Sequence, residues 1–483
     1  MPDPPAAFER LTRIVGAANV IVRPDELKVY ECDGLAGMKV MPSAVVLPVS
    51  TDEVVQVVKL AHELQVPLVA RGSGTGLSGG ALPVAGGWVL GLSRMKKILE
   101  VDLQNGFVRV EPGVINLEIS KRLAPHGFYY APDPSSQSVC TIGGNVAENS
   151  GGAHCLKYGF TVNHVLGVKL VLADGTVTEL GGPVCDGPGY DLLAAVVGSE
   201  GLLGIVTEVT LKILRAPEAT RTLFATFPTT GQAGDAVSAI IAAGIVPAAI
   251  EMMDRLAITA IKAATGVDWP DVGAALLMDV DGPRAEVAYT AEQAIALAKA
   301  AGAIEVRLPK DDAERLTMWK GRKSAFAAMG RLAKNYVVQD GVIPRSEIGR
   351  VLGEIAKISE QTGLRIANVF HAGDGNLHPL VLYDSTIEGQ EALAEHAAGS
   401  VLKLCVAAGG SITGEHGVGA DKAQYMGEMF SEDDLATMSW LRCAFDASQR
   451  LNPGKVFPTP RLCGDVPGVY RPHPLEGSEV GRG

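Results

Sequence analysis

Arg71-Gly72-Ser73-Gly74-Thr75-Gly76-Leu77-Ser78-Gly79-Gly80 places five glycines in ten residues. Without a Cβ, such a backbone can adopt positive φ and turn several N–H groups onto one anion. Gly74 to Gly79 matches the GxGxxG spacing of dinucleotide-binding folds in form. The context differs, because that fingerprint needs a helix N-terminus beneath the pyrophosphate and Pro83 follows almost at once. No Gly-Lys-Ser/Thr follows either, which excludes a P-loop. Read alone, the stretch is an anion site or a tight turn.

Working outward, the first 30 residues read as a helix and a turn at Arg23-Pro24-Asp25. Residues 44–49 and 66–70 read as short buried strands around a helix that Thr51-Asp52-Glu53 caps and that runs to about Leu64. This β-α-β pattern predicts a parallel unit, with the glycine loop at the end of its second strand. Strand-like segments within 89–110 meet at the hairpin signal Asn105-Gly106. A helix is expected over 114–125, a hairpin at Ala173-Asp174-Gly175-Thr176 and a strand over 203–214.

Two more segments share the composition of the first loop. Pro132-Asp133-Pro134-Ser135-Ser136 leads into Thr141-Ile142-Gly143-Gly144-Asn145 and on to Asn149-Ser150-Gly151-Gly152. Gly198-Ser199-Glu200-Gly201-Leu202-Leu203-Gly204-Ile205 is the third. Three such loops in one region imply a long ligand laid against exposed backbone; the plainer reading is three unrelated turns.

Beyond residue 215 the pattern changes. Alanine-rich helical stretches (232–244, 284–301, 346–362, 387–408) alternate with strands near 221–227, 274–280, 303–308 and 364–370. An antiparallel sheet backed by helices is predicted. A last helix over 432–450 stops at Leu451-Asn452-Pro453-Gly454, and the Gly- and Pro-rich tail beyond Pro458 reads as an extended arm.

The composition, 47% hydrophobic and 20% charged over 483 residues, is that of a folded globular protein. A net charge of −12 argues against nucleic acid as a partner. The seven cysteines include no CxxC pair, which fits a reducing compartment and leaves no iron–sulfur cluster motif in this chain. The N-terminus lacks a signal-peptide pattern, and the apolar run 236–250 is too short to span a bilayer. A cytoplasmic location is expected.

The remaining chemistry lies in His371-Ala372-Gly373-Asp374-Gly375-Asn376-Leu377-His378 and Gly414-Glu415-His416-Gly417, which hold three of the nine histidines. Strands over 366–370 and 380–383 with the glycine turn between them would set His371 and His378 face to face. Two imidazoles and a carboxylate can hold a divalent ion with positions open, and a further imidazole beside them can act as a base. Polar loop residues are the plainer alternative.

The glycine loops resemble those of flavoproteins of the vanillyl-alcohol oxidase type. The chain as a whole is similar to the FAD-linked subunits of bacterial glycolate oxidases, within the D-2-hydroxyacid dehydrogenase group. The matching stretches are Tyr30 to Gly34, Arg71 to Leu82, Tyr130 to Tyr158, Asn368 to Pro379, Gly410 to Gly419 and Leu451 to Lys455, so the resemblance runs from about residue 25 to 458. It implies an α+β fold: a two-subdomain FAD-binding domain (1–215), an antiparallel-sheet cap or substrate domain (216–405), a C-terminal segment returning to the flavin (406–460) and a tail (461–483).

By the same resemblance Arg71, Gly72, Ser73, Gly74, Thr75, Gly76, Leu77 and Ser78 would hold the FAD pyrophosphate. Thr141, Gly143, Gly144 and Asn145 would line the isoalloxazine side, with Pro132, Asp133 and Asn149 also among the flavin contacts. Glu200, Gly204 and Ile205 would meet the adenine–ribose end, and Asn452 would approach the flavin. The first loop has no His or Cys, so the FAD is expected to be noncovalent; Cys140 and Cys155 read as packing residues.

The resemblance carries His371, His378 and Glu415 over as ligands of a divalent metal (Zn, Mn or Fe) and His416 as the base. Arg322 would take the substrate carboxylate and Asn376 would touch substrate. Relatives acting on dicarboxylates carry a lysine where Val337-Val338-Gln339 has none, which favours a small monoacid. The implied reaction is oxidation of glycolate or D-lactate to the 2-oxo acid, by hydride transfer to flavin N5. Electrons would pass to a partner protein, an iron–sulfur subunit among the candidates, or to a quinone at the inner membrane; a homo-oligomer is a further expectation. The competing readings are a D-lactate dehydrogenase acting without partner subunits, a flavin-binding electron-transfer subunit, and a metal hydrolase without flavin.

Overall fold

A computed structural model describes residues 4–184 and 189–458; the tail assigned to 461–483 lies outside them. The chain forms two compact units. The first comprises Met1–Ser150, Phe160–Arg215 and His416–Gly483, and the second comprises Gly151–Gly159 and Ala216–Glu415.

The first unit carries two larger sheets. In one, Ala44–Val46, Trp88–Gly91 and Leu68–Arg71 run parallel, and Val20–Ile21 adds an antiparallel edge. The two strands expected to be neighbours are separated: Trp88–Gly91 lies between Ala44–Val46 and Leu68–Arg71 and pairs with both. The crossover helix Thr51–Leu64 is capped by Ser50 rather than by Thr51, its hydroxyl accepting the Glu53 N–H at 3.2 Å. Val54, Val57, Val58 and Ala61 on one helical face bury against this sheet.

The second sheet is antiparallel, in the order Ile98–Asp102, Phe107–Val110, Ile205–Lys212, Val165–Val171, Val177–Gly181. Along Ile205–Lys212 every other residue is buried, as expected of a strand with one face in a core. Both hairpin turns form where Asn105-Gly106 and Asp174-Gly175 mark them, with Gly106 and Gly175 at φ 71° and 82°. No helix opens after the first glycine loop. The last helix ends at Phe445, shorter than expected, and Leu451 then bridges to Leu68 alongside the parallel sheet.

In the second unit the main sheet is antiparallel throughout. Its order is Glu305–Arg307, Ala219–Phe227, Ala274–Gly282, Ala249–Asp254, Ile366–His371, and short strands continue from there. Helices back the sheet as expected, and they cover both faces. Ile250, Met252, Leu276, Met278 and Phe370 pack with the helices Thr230–Ala242, Arg284–Ala300 and Ile348–Thr362. Ala249, Met253, Ala275, Leu277 and Val369 face the opposite layer, formed with Arg255–Thr265 and Asp312–Lys323. A strand buried on both sides shows no apolar–polar alternation. Ala249–Asp254 is in addition short and interrupted by Glu251 and Asp254, and this central strand escaped the sequence reading.

Among the described residues, no helix is long and apolar enough to cross a membrane.

Candidate active site

In the first unit, strand Leu68–Arg71 delivers the glycine loop. Arg71 Nη1 donates to the Cys32 carbonyl at 2.7 Å and the guanidinium lies over the Tyr30 ring. Gly74, at φ 68°, folds the loop back so closely that a Cβ there would overlap this guanidinium. The second loop packs on the first: Ser73 Oγ donates to the Val139 carbonyl at 2.6 Å, and a Cβ on Gly72 would overlap Thr141 Oγ1. Helix Ile142–Glu148 starts at Thr141 and contains Gly143 and Gly144. Asn145 is tied to Asn116 at 3.0 Å, and Asn116 also donates to the Pro132 carbonyl at 3.1 Å. Asn149 closes the helix at φ 51°, its amide oxygen accepting the Val162 N–H. Asp133 is half-buried beside these groups.

The third loop joins the other two. Gly204, at φ 157°, abuts Leu170, and Ile205 opens its buried strand. Asn452 Nδ2 donates to the carbonyls of Gly80 at 2.8 Å and Glu200 at 2.7 Å, so one buried amide fastens the ends of the first and third loops. Thr141 Oγ1, Ser78 Oγ and Asn452 Oδ1 are buried with no protein partner. Such atoms among converging glycine loops are what a polar ligand laid on backbone would satisfy, so the residues fit a dinucleotide.

The Glu200 carboxylate turns inward and accepts the N–H groups of Val418 and Gly419, each at 2.7 Å. Glu148 stands against it: a Cβ on Gly417 would overlap Glu148 Oε2 and lie 2.9 Å from Glu200 Oε1. Burial, opposed by the two N–H bonds and by Lys422 and Lys455, pushes Glu200 up to about 7. Burial and the neighbouring Glu200 raise Glu148 well above the ordinary carboxylate range. This pair was not foreseen, since its members lie 52 residues apart in the sequence.

In the second unit the turn between His371 and His378 forms as expected. His371 ends strand Ile366–His371 and pairs with Asn376 across the turn. Gly375, at φ 78°, approaches the Ile343 carbonyl so closely that no side chain fits. The two rings lie edge to face with centroids 5.2 Å apart. Glu415 Oε1 stands 3.2 Å from His371 Nε2 and 3.3 Å from His378 Nε2. One ligand atom from each of the three lies within 4.8 Å of the others, the geometry of a metal-ready group.

Arg322 and Asn376 lie in the same unit. Asn376 is 1% exposed, and both polar atoms of its amide lack a protein partner. The helix Asp312–Lys323 places Arg322 inward, 4% exposed, rather than on a solvated face. Its Nη2 contacts Glu251 Oε2 at 2.5 Å while its Nε remains without a partner. His416 is half-buried and begins the segment that returns to the first unit.

Two acidic residues missed in the sequence organise this site. Glu251, on the overlooked strand, accepts from His371 Nδ1 at 2.7 Å. Asp340 accepts the Gly414 N–H at 3.0 Å, the Glu415 N–H at 3.1 Å and the Thr413 hydroxyl at 2.7 Å. Burial alone would lower the His371 pKa, but the carboxylates of Glu251 and Glu415 outweigh it and hold the imidazole well above its usual value. Burial likewise works against the Glu251 carboxylate, yet Arg322 and His371 keep its pKa below the ordinary range.

Two family models match the chain: an FAD binding domain over residues 42–181 and the C-terminal domain of FAD linked oxidases over 216–456. The glycolate oxidase subunit GlcD of Escherichia coli strain K12 is 46% identical over 472 residues, covering 98% of this chain and 95% of that protein.

The chain belongs to the FAD-linked oxidase family.

The chain is also similar to a D-lactate dehydrogenase of Anaerostipes hadrus, 32% identical over 444 residues, with 89% of this chain and 91% of that one covered. The fold is that of p-cresol methylhydroxylase, whose substrate-bound crystal structure superposes with a TM-score of 0.79 at 17% identity, over 94% of this chain and 96% of that chain. The protein is therefore an FAD-linked oxidoreductase of vanillyl-alcohol oxidase-type fold, and its first two glycine loops lie within the FAD binding domain match.

Proposed function

We propose that this enzyme oxidises a small 2-hydroxy acid, glycolate or D-lactate, to the 2-oxo acid. The observation that carries the reading is the buried His371–His378–Glu415 group in the same unit as the inward-facing Arg322 and the unpartnered Asn376 amide. Relatives named glycolate oxidase subunit and D-lactate dehydrogenase match over nearly the whole chain and support the substrate class.

In this reading the three glycine loops hold FAD noncovalently, and FAD supplies the hydride acceptor at its N5. His371, His378 and Glu415 hold a divalent ion, whose Lewis acidity lowers the pKa of a nearby hydroxyl. Arg322 offers its unpartnered Nε–H, and Asn376 its amide N–H, to the oxygens of the substrate. Loss of a hydride from Cα must be matched by loss of the hydroxyl proton, and an imidazole nitrogen of His416 is the acceptor assigned to it. Without a lysine at Val337-Val338-Gln339, a second carboxylate would meet no cation there, which favours a monoacid.

Electrons would leave to a partner protein or a quinone. The Escherichia coli relative is named a subunit, which favours a partner, whereas the relatives named D-lactate dehydrogenase favour an enzyme acting alone. The test is anaerobic mixing of the purified flavoprotein with D- and L-2-hydroxy acids, with metal analysis of the same sample. Glycolate or D-lactate should bleach the flavin absorbance, and about one divalent ion per chain should be found. A flavin that no 2-hydroxy acid bleaches would sink the reading.

A further inference from the structure

Glu251 sits where a carboxylate is least expected. Its strand, Ala249–Asp254, is central in the sheet, flanked by Ala274–Gly282 and Ile366–His371, and Glu251 is 0% exposed. Around it on this face Ala249, Met253, Ala275, Leu277 and Val369 are apolar, and Asp279, the cross-strand partner of Ala249, is bonded to Thr222. Burying an ion there carries a large desolvation cost, and packed apolar residues commonly serve stability as well or better. The apolar neighbours of Glu251 give no structural reason for the charge.

The register supplies a different reason. Glu251 pairs directly with His371 across the two antiparallel strands, so their side chains leave the sheet side by side on one face. Helix Asp312–Lys323 lies on that face and lowers Arg322 to the same point. Each carboxylate oxygen then has its own partner: Oε1 the His371 Nδ1 at 2.7 Å, Oε2 the Arg322 Nη2 at 2.5 Å. Because Nδ1 and Nε2 lie on different edges of the imidazole, a carboxylate bound to Nδ1 cannot also ligate an ion at Nε2. It acts through the ring instead.

We propose that Glu251 is the positioning residue of this site. It fixes His371 with Nδ1–H turned inward, leaving the Nε2 lone pair for the ion, and with the same carboxylate it anchors Arg322. The ion and the substrate-carboxylate site are thereby set in register by one residue. Glu251 also cancels the guanidinium charge, so that an incoming cation does not meet an uncompensated positive group. The inference rests on the metal reading given above.

The test compares wild type and E251Q. Each apoprotein is titrated with Zn2+ against a chromophoric chelator, and thermal denaturation of the same samples verifies folding. Wild type should bind one ion, and E251Q should bind it about 10–100-fold more weakly, the usual loss when the carboxylate behind a metal-bound histidine is removed. Wild type that binds no ion overturns the metal reading, and the inference with it. Folded E251Q with wild-type affinity overturns the inference alone.

A double-mutant cycle tests the anchoring of Arg322. If Glu251 serves both groups, the loss of Zn2+ affinity in E251Q/R322M is smaller than the sum of the single losses. Additive losses refute a shared role. Should E251Q fail to fold, 15N-histidine NMR of Zn-loaded wild type decides the matter, with the signal assigned by H371Q. His371 should carry its proton on Nδ1, and a proton on Nε2 excludes the proposal.

Discussion

Asp340 and Glu415 are joined through the backbone rather than through their charges: the Glu415 N–H donates to Asp340 Oδ1 at 3.1 Å. The same fully buried carboxylate accepts the Gly414 N–H and the Thr413 hydroxyl. A loop from distant sequence is thus pinned so that its carboxylate falls between two histidines.

Asp340→Ala should therefore release Glu415, and it also removes the carboxylate oxygen that stands 3.4 Å from His378 Nε2. Each N–H left unsatisfied costs about 1–3 kcal/mol. A lowered unfolding midpoint is expected, together with metal affinity well below that of wild type, read by denaturant unfolding and chelator competition. Unchanged metal affinity would mean that Glu415 does not depend on this pin.

The turn between the histidines should be intolerant at one glycine. Gly375→Ala must both hold φ at 78° and push away the Ile343 carbonyl. Gly363, at φ 68°, has open space around its position and isolates the backbone cost. Gly363→Ala should cost about 1 kcal/mol, and Gly375→Ala clearly more, with loss of metal binding only in the latter. Thermal melts and metal content of the two proteins decide it.

The Glu148–Glu200 pair should make stability pH-dependent. The Glu200 pKa rises to about 7 in the folded protein, whereas an unfolded glutamate titrates near about 4.3. Between those values the folded state keeps a proton that the unfolded chain has lost. The contribution is full at acidic pH and is lost as pH rises through about 7. Glu148→Gln removes one member of the pair, so the decline in melting temperature between pH 5 and pH 8 should flatten. An identical slope in the variant would show that other groups set it.

Asn452 should govern flavin retention. Asn452→Gly preserves the positive φ of 42° but removes both donations, to the Gly80 and Glu200 carbonyls. Asn452→Asp sets a carboxylate against those two carbonyls and should be worse. Flavin content, read from the visible absorbance of purified protein, should fall from wild type to Gly to Asp. Equal content in all three would place the cofactor elsewhere.

The sequence alone carried the local features. Five glycines in ten residues announce a loop of exposed backbone, and three such loops carry the resemblance to the flavin fold. The spacing of His371 and His378 announced a strand–turn–strand, because Asp374-Gly375-Asn376 can only turn there. These signals are legible since each arises from a residue and its immediate neighbours.

Tertiary structure alone decided which residues serve the histidines. Glu251 lies 120 positions from His371, on a strand buried on both faces whose sequence shows no alternation. Asp340 lies 75 positions from Glu415. Their roles follow from strand register and from which sheet face each side chain takes. Register is fixed by pairing between distant segments, and no local pattern of amino acids records it.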